Sequence, residues 1–285
     1  MPSLIDLRRR IRSVKNTQQI TKAMKMISAA KLRRSQEAVS HARPYADLLR
    51  EMLSSVLGGA DPETVAHPLL ARREPKRILL LVMAGEKGMA GAFNTNIFKA
   101  ARPFLDEHAG AAVELEVLGK KARDFYVKRS WPIAGEWINV FSKVDVDVAH
   151  QVAAKVIERY ANEEIDAVYV LYNKFVTAMS QKPTLQQILP FEAEESDGPA
   201  PDYIYEQPPE QIFAAALPRY VEVQVHQAML ESSASEHSAR MAAMDAATRN
   251  AGEMIDNLTL HLNRVRQASI TTEIIEVVSG AAALE

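Results

Sequence analysis

Cysteine is absent from the 285 residues, so disulfides, thiolate catalysis and cysteine-ligated zinc are excluded together. No stretch approaches the roughly 18 consecutive apolar residues that a membrane-spanning helix needs. Met1-Pro2-Ser3-Leu4-Ile5-Asp6 leads straight into Arg8-Arg9-Arg10, without the apolar stretch of a secretory signal. The formal net charge is only −2, which gives the chain as a whole no bias toward nucleic acid or anionic membranes. The seven histidines form no HxxxH or HxH pair that could place two imidazoles on one metal, and no GxSxG elbow is present. What is there is an ordinary globular composition, 47% apolar and 25% charged, long enough for one or two domains.

Glycine and proline are scarce in two places, and the gaps locate long helices. Neither occurs between Ser3 and Arg43. After Pro44, helix-compatible sequence resumes through Leu57 and stops at Gly58-Gly59. At the other end, the 67 residues from Arg219 to Glu285 contain no proline and only Gly252 and Gly280. A helix of some 60 residues is about 90 Å long, more than a compact domain of this size can enclose. Met241, Met244, Thr248, Ala251, Ile255, Leu258, Leu262 and Val265 are spaced 3, 4, 3, 4, 3, 4, 3, an a/d heptad seam. The apolar register then jumps to Ile270, Ile274, Val277 and Ala281. Leu4, Leu7, Ile11 and Val14 show the same spacing, after which the apolar stripe moves to Ile20, Met24 and Ile27.

Such narrow seams bury too little surface to hold a lone helix. The terminal segments, 1–58 and 211–285, are therefore natural partners. Local charge agrees: residues 1–36 carry a net +9 and residues 219–285 a net −4.

Between them the pattern alternates strand and helix, predicting an α/β domain over residues 75–190. Arg77–Met83 is a continuous apolar run of the kind a doubly buried parallel strand shows. The Gly85-x-x-Gly88-x-x-Gly91 turn follows, with a helix capped near Asn94 or Thr95. Val113–Leu118 reads as a strand, Lys120–Ser130 as a helix and Ile138–Phe141 as a short strand. Val148–Glu164 reads as a helix, Ala167–Tyr172 as a buried strand and Thr184–Leu189 as an edge. Residues 191–210, acidic and proline-rich, read as an exposed loop.

Motifs that carry chemistry are missing. The glycine turn is neither GxGxxG nor a P-loop, and its plain reading is a tight strand-to-helix connection with Lys87 in solvent. The carboxylate pairs Glu163-Glu164, Glu194-Glu195 and Glu273/Glu276 read as solvated faces. The basic N-terminal helix reads as a solvated coiled-coil face, a docking surface for an acidic protein or a nucleic-acid binder. Residues 1–44 contain no Phe, Tyr or Trp for base stacking. A nucleotide-binding α/β enzyme with coiled-coil oligomerisation arms is the other architecture the pattern allows.

Two long segments, Ile11–Leu32 (IRSVKNTQQITKAMKMISAAKL) and Ala234–Met244 (ASEHSARMAAM) with Asn263–Ile274 (NRVRQASITTEI), carry a resemblance. Together with Asn173-Lys174-Phe175 and Met179-Ser180-Gln181, they resemble the gamma-subunit family of F-type ATP synthases, and the likeness covers essentially the whole chain. The central turn departs from the family's usual pattern, with Ala84-Gly85 where Ser-Asp is common and Ala90 where cysteine is frequent. The resemblance implies an α/β fold class: a long antiparallel coiled coil of the terminal helices with an inserted Rossmann-like α/β domain. It implies a non-catalytic rotor shaft without cofactor or metal. Alpha and beta subunits would surround the shaft, and the epsilon subunit and the c-subunit membrane ring would meet the foot, with no nucleic acid and no membrane insertion. It also carries over a beta-subunit catch at Arg266, Gln267 and Thr271 and a coupling contact at Met24, flanked by Lys22 and Lys25. Without a transit peptide or a chloroplast-type cysteine insertion, the expected location is the cytoplasmic face of a bacterial membrane.

Overall fold

The computed structural model describes residues 3–59, 67–192 and 209–282. All but the ends of the acidic 191–210 segment lie outside these residues. In chain order the elements are α1 (Leu4–Gly59), β1 (Arg77–Met83), α2 (Phe93–Glu107), β2 (Ala112–Leu118), α3 (Lys120–Val127), β3 (Ile133–Trp137), α4 (Val146–Ala161), β4 (Ala167–Phe175), β5 (Gln181–Leu189) and α5 (Pro209–Ala282). They build two compact units, Ala29–Arg240 and Met1–Ser28 with Met241–Glu285.

In the larger unit the strands lie in the order β3-β2-β1-β4-β5. The first four are parallel and β5 pairs antiparallel with β4. The apolar run of β1 is continuous because both its faces are covered. Leu79, Leu81 and Met83 pack with α4, the end of α1 (Leu49, Leu53, Val56) and the start of α5 (Phe213, Leu217, Val221). Ile78, Leu80 and Val82 pack with α2 and α3 through Ile97, Phe104 and Tyr126. Each of these side chains contributes roughly 1.5–3 kcal/mol by leaving water.

The third strand is Ile133–Trp137, not the expected Ile138–Phe141. Asn139 takes a left-handed φ of 64°, which ends the extended run, while Ile133–Trp137 pairs with Leu115–Leu118 through a register shift that sets Gly135 opposite Glu116. This register builds a polar core. Glu116, fully buried, accepts from Trp137 Nε1 at 2.6 Å and from Lys155 Nζ at 2.9 Å on both oxygens. Lys155 also donates to Ala134 O at 3.0 Å. A Cβ on Gly135 would land on Glu116 Oε1 and Lys155 Nζ, so glycine lets the charges meet across the strand. Asn94 is not a helix cap. Its Oδ1 accepts from Gly85 N–H at 2.8 Å and closes the turn, and α2 starts one residue earlier with no side-chain cap.

In the smaller unit the two helices run antiparallel. Gln18 reaches Thr248 O at 3.4 Å and Lys25 reaches Asp245 at 2.5 Å, so positions advance on one helix as they fall on the other. The α5 seam follows the heptad as read, with Met244 and Ala251 buried and Ile255, Leu258, Leu262 and Val265 half-buried. It then continues to half-buried Ser269, whereas Ile270, Ile274 and Val277 are 48%, 57% and 72% exposed. The register jump predicted after Val265 is therefore not made. On α1 the seam also holds its spacing, passing from Val14 through Gln18, Thr21 and Ser28, and leaving Ile20 and Ile27 60% and 59% exposed. Helix geometry decides this: 3-4 spacing fixes which residues face the partner, whatever their polarity. The buried hydroxyls compensate by pairing, with Thr21 and Thr248 oxygens 2.8 Å apart.

Candidate functional site

Three of the segments that carry the resemblance, Ala234–Arg240, Asn173-Lys174-Phe175 and Met179-Ser180-Gln181, meet in the larger unit. Residues 228–238 of α5 are buried on every side, which is possible because most are Ala or Ser and let neighbouring backbones approach. Ser235 Oγ donates to Asn173 O at 2.9 Å, Gln181 Nε2 donates to Ser238 Oγ at 3.2 Å, and Ser238 bonds the carbonyl of Ala178. Asn173, itself buried, donates through Nδ2 to Phe93 O at 3.3 Å. Glu231 accepts from Arg43 Nε at 2.8 Å and from Phe175 N–H at 2.7 Å, and Arg43 Nη2 donates to Phe175 O at 2.8 Å. A closed ring of charge-assisted bonds thus joins α1, β4 and α5.

The glycine turn belongs to the same collar. Arg240 pairs with Glu236 and donates to the carbonyls of Lys87, at 3.4 Å, and Gly88, at 3.3 Å. A Cβ on Gly85 would stand 2.9 Å from the Glu236 carboxyl carbon, so the turn is filled by a carboxylate and a guanidinium of α5. An anion placed there would face Glu236. The turn is a docking joint for a helix, and the nucleotide-enzyme reading finds no phosphate cradle in it. Lys87 is exposed, as read.

His237 sits in this collar with Nδ1 3.4 Å from the Arg240 guanidinium. Burial, and then the nearby Arg240 and Lys31 cations, push its pKa down from 6.5 to about 4. Between those values the unfolded chain binds a proton that the folded chain refuses, so stability is full above pH 6.5 and falls as pH drops toward 4. His237→Gln is expected to flatten that part of the stability–pH curve in urea unfolding. An unchanged slope would contradict this assignment.

The residues expected to touch partners lie elsewhere. Met24 and Lys25 are half-buried and Lys22 exposed on α1, and Lys25 is engaged with Asp245. Arg266, Gln267 and Thr271 are exposed on α5, where Thr271 Oγ1 donates to Gln267 O at 3.0 Å. The attraction expected between oppositely charged helices is realised sparsely. Among the described residues Lys25 makes the one ion pair of α1 to α5 in the smaller unit, and Arg8, Arg10, Arg12, Lys15 and Lys22 stand exposed with no carboxylate partner. The collar residues Arg43, Glu231 and Glu236 were not singled out by sequence reasoning. The available signal was a helix stretch, 228–238, dense in Ala and Ser, with Glu231 and Glu236 set among them.

Two long helices paired antiparallel, with a five-stranded α/β unit inserted between them in sequence, define the class of protein: a coiled-coil protein with an inserted α/β domain. A family model described as ATP synthase matches residues 3–284. The ATP synthase gamma chain of Solibacter usitatus (strain Ellin6076) is 57% identical over 287 residues, and that of Pelotomaculum thermopropionicum 47% over 287, each covering 100% of both chains. A chain from the central stalk and c-ring of Tetrahymena thermophila mitochondrial ATP synthase is similar with a TM-score of 0.60 and 26% identity, over 80% of this chain and 99% of that one. A chain of the Euglena gracilis mitochondrial enzyme shares the fold, with a TM-score of 0.69 and 20% identity over 99% of this chain and 94% of that one.

This chain belongs to the ATP synthase gamma-chain family. It is a rotor-shaft subunit of the membrane-attached ATP synthase and not its catalytic subunit. Among the described residues, no helix is long and apolar enough to cross a membrane.

Proposed function

We propose that the paired helices, drawn from residues 1–58 and 211–285, turn inside a hexamer of alpha and beta subunits. In this reading the α/β foot of residues 75–190 engages the epsilon subunit and the c-subunit ring at the cytoplasmic face of a bacterial membrane. The observation that carries the reading is the uncovered end of α5. Residues 270–280 are all exposed, and Ile270, Ile274, Ile275, Val277 and Val278 range from 48% to 72% exposed. A run of bare Ile and Val on a single helix is stable only inside another surface. Glu273 and Glu276 are its only long polar side chains, and the run beyond them, Val277-Val278-Ser279-Gly280, suits a bearing that must slide.

Met24 with Lys22 and Lys25, and Arg266 with Gln267 and Thr271, are the contacts we assign to the beta subunits. The unpaired cations of α1 suit an acidic partner. An asymmetric shaft in a threefold sleeve presents a different face to each beta subunit, so each catalytic site holds nucleotide with a different affinity. Rotation exchanges those states and releases product by differential binding.

Arg266→Ala combined with Gln267→Ala is expected to lower coupled ATP synthesis of the reconstituted complex roughly tenfold, the scale of one lost charge-assisted bond. The circular dichroism of the isolated chain should not change. Unaltered synthesis rates in the double variant would remove the catch, and failure of the chain to co-assemble with alpha and beta subunits would remove the whole reading.

A further inference from the structure

The outer face of the α/β unit holds a groove of about 590 Å³ between α2 and α3 that none of the contacts above uses. Its wall is aromatic: Phe98 and Phe125 stack with centroids 3.9 Å apart and planes within 10°, and Trp131 lines the same space. Its rim carries three cations, Lys99, Arg102 and Arg129, against one carboxylate, Asp106, which Arg102 engages at 3.6 Å. The Arg129 guanidinium lies 3.7 Å over the Phe125 ring, and neither it nor Lys99 has a carboxylate partner among the described residues. Both are exposed.

The feature that singles out this groove is Tyr126, which lines it. The residue is 1% exposed, yet its hydroxyl has no hydrogen-bond partner. A buried hydroxyl left unpaired is destabilising, and such groups call for an explanation. The phenol is near enough to Arg129 for that cation to oppose the upward push of burial on its pKa. An unused donor, two unpaired cations and a flat stacked wall therefore share one concavity of the size that small ligands occupy.

We propose that this groove binds a small amphipathic anion, a planar aromatic ring carrying an acidic group. The ring packs against the Phe98/Phe125 wall, the acidic group meets Arg129 and Lys99, and Tyr126 donates its unused hydrogen bond. Phe98 and Phe125 already occupy one another's facing surfaces and Arg129 covers the other face of Phe125, so a ligand ring meets this wall edge-to-face, an arrangement that favours a ring over an alkyl chain.

Titration of the full-length chain with 8-anilinonaphthalene-1-sulfonate, followed by dye fluorescence and equilibrium dialysis, tests this. One anion per chain should bind at the groove. Arg129→Gln with Lys99→Gln should weaken it at least tenfold, and Tyr126→Phe by roughly three- to tenfold. Tyr126→Phe should leave the melting temperature unchanged or raise it, since the lost hydroxyl has no partner to lose. The neutral analogue N-phenyl-1-naphthylamine should be insensitive to removal of the charges. Affinity for the sulfonate within twofold of the parent in the charge variant would place the dye elsewhere and overturn the proposal. So would a Tyr126→Phe variant that binds as tightly as the parent.

Discussion

Lys155→Met is expected to destabilise the α/β unit by about 3–5 kcal/mol, because it strands a fully buried carboxylate. Glu116 would keep only the indole N–H of Trp137, having lost the ammonium that now holds both its oxygens. A loss of this size lowers the melting temperature on the order of 10 °C for a unit of this length. The physical content lies in the rescue. Adding Glu116→Gln removes the stranded charge, keeps an acceptor for Trp137, and should restore most of the lost stability. A double variant no more stable than Lys155→Met alone would show that the Lys155 bond to Ala134 O, not the charge pair, holds the site.

Arg43→Ala should be comparably severe at the collar, again about 3–5 kcal/mol, because Glu231 is also fully buried. The guanidinium bonds Glu231 with Nε and the Phe175 carbonyl with Nη2. Both bonds come from one planar fork, which lysine cannot reproduce. Arg43→Lys is therefore expected to recover only part of the stability. Hydrogen exchange at the Phe175 amide, which donates to Glu231 at 2.7 Å, provides a local readout and should accelerate in both variants. Protection equal to the parent in Arg43→Ala would mean that the ring carries no load.

Such joints were invisible in the sequence for a simple reason. Glu116 and Lys155 lie 39 positions apart and Arg43 and Glu231 188 apart, so no spacing rule connects them. Gly135 lies outside the strand expected at Ile138–Phe141, and only the strand order placed two charges over its missing side chain. The displaced third strand has the same origin. Ile138-Asn139-Val140-Phe141 has good β-propensity, but pairing is awarded by the neighbouring strand, and β2 had register only for Ile133–Trp137. By contrast β1, β2, β4 and the terminal helices were legible, since their signal is local: a doubly buried apolar run, or a heptad sustained over several turns.

The path of the coiled-coil seam separates the two kinds of information most clearly. Residue periodicity determined that both ends of the chain are long helices needing partners and that an α/β unit lies between them, while the family was legible only in the resemblance of particular segments such as Ile11–Leu32 and Asn263–Ile274. Only the tertiary structure decided that Gln18, Thr21 and Ser28 face inward while Ile20 and Ile27 face out. Once two helices pair, the seam is set by their winding, and each buried position must be made acceptable by hydrogen bonds rather than chosen for hydrophobicity. The apolar residues left outside, on α1 and at the end of α5, are surplus to the fold of this chain by itself, because the winding that sets the seam turns them away from it.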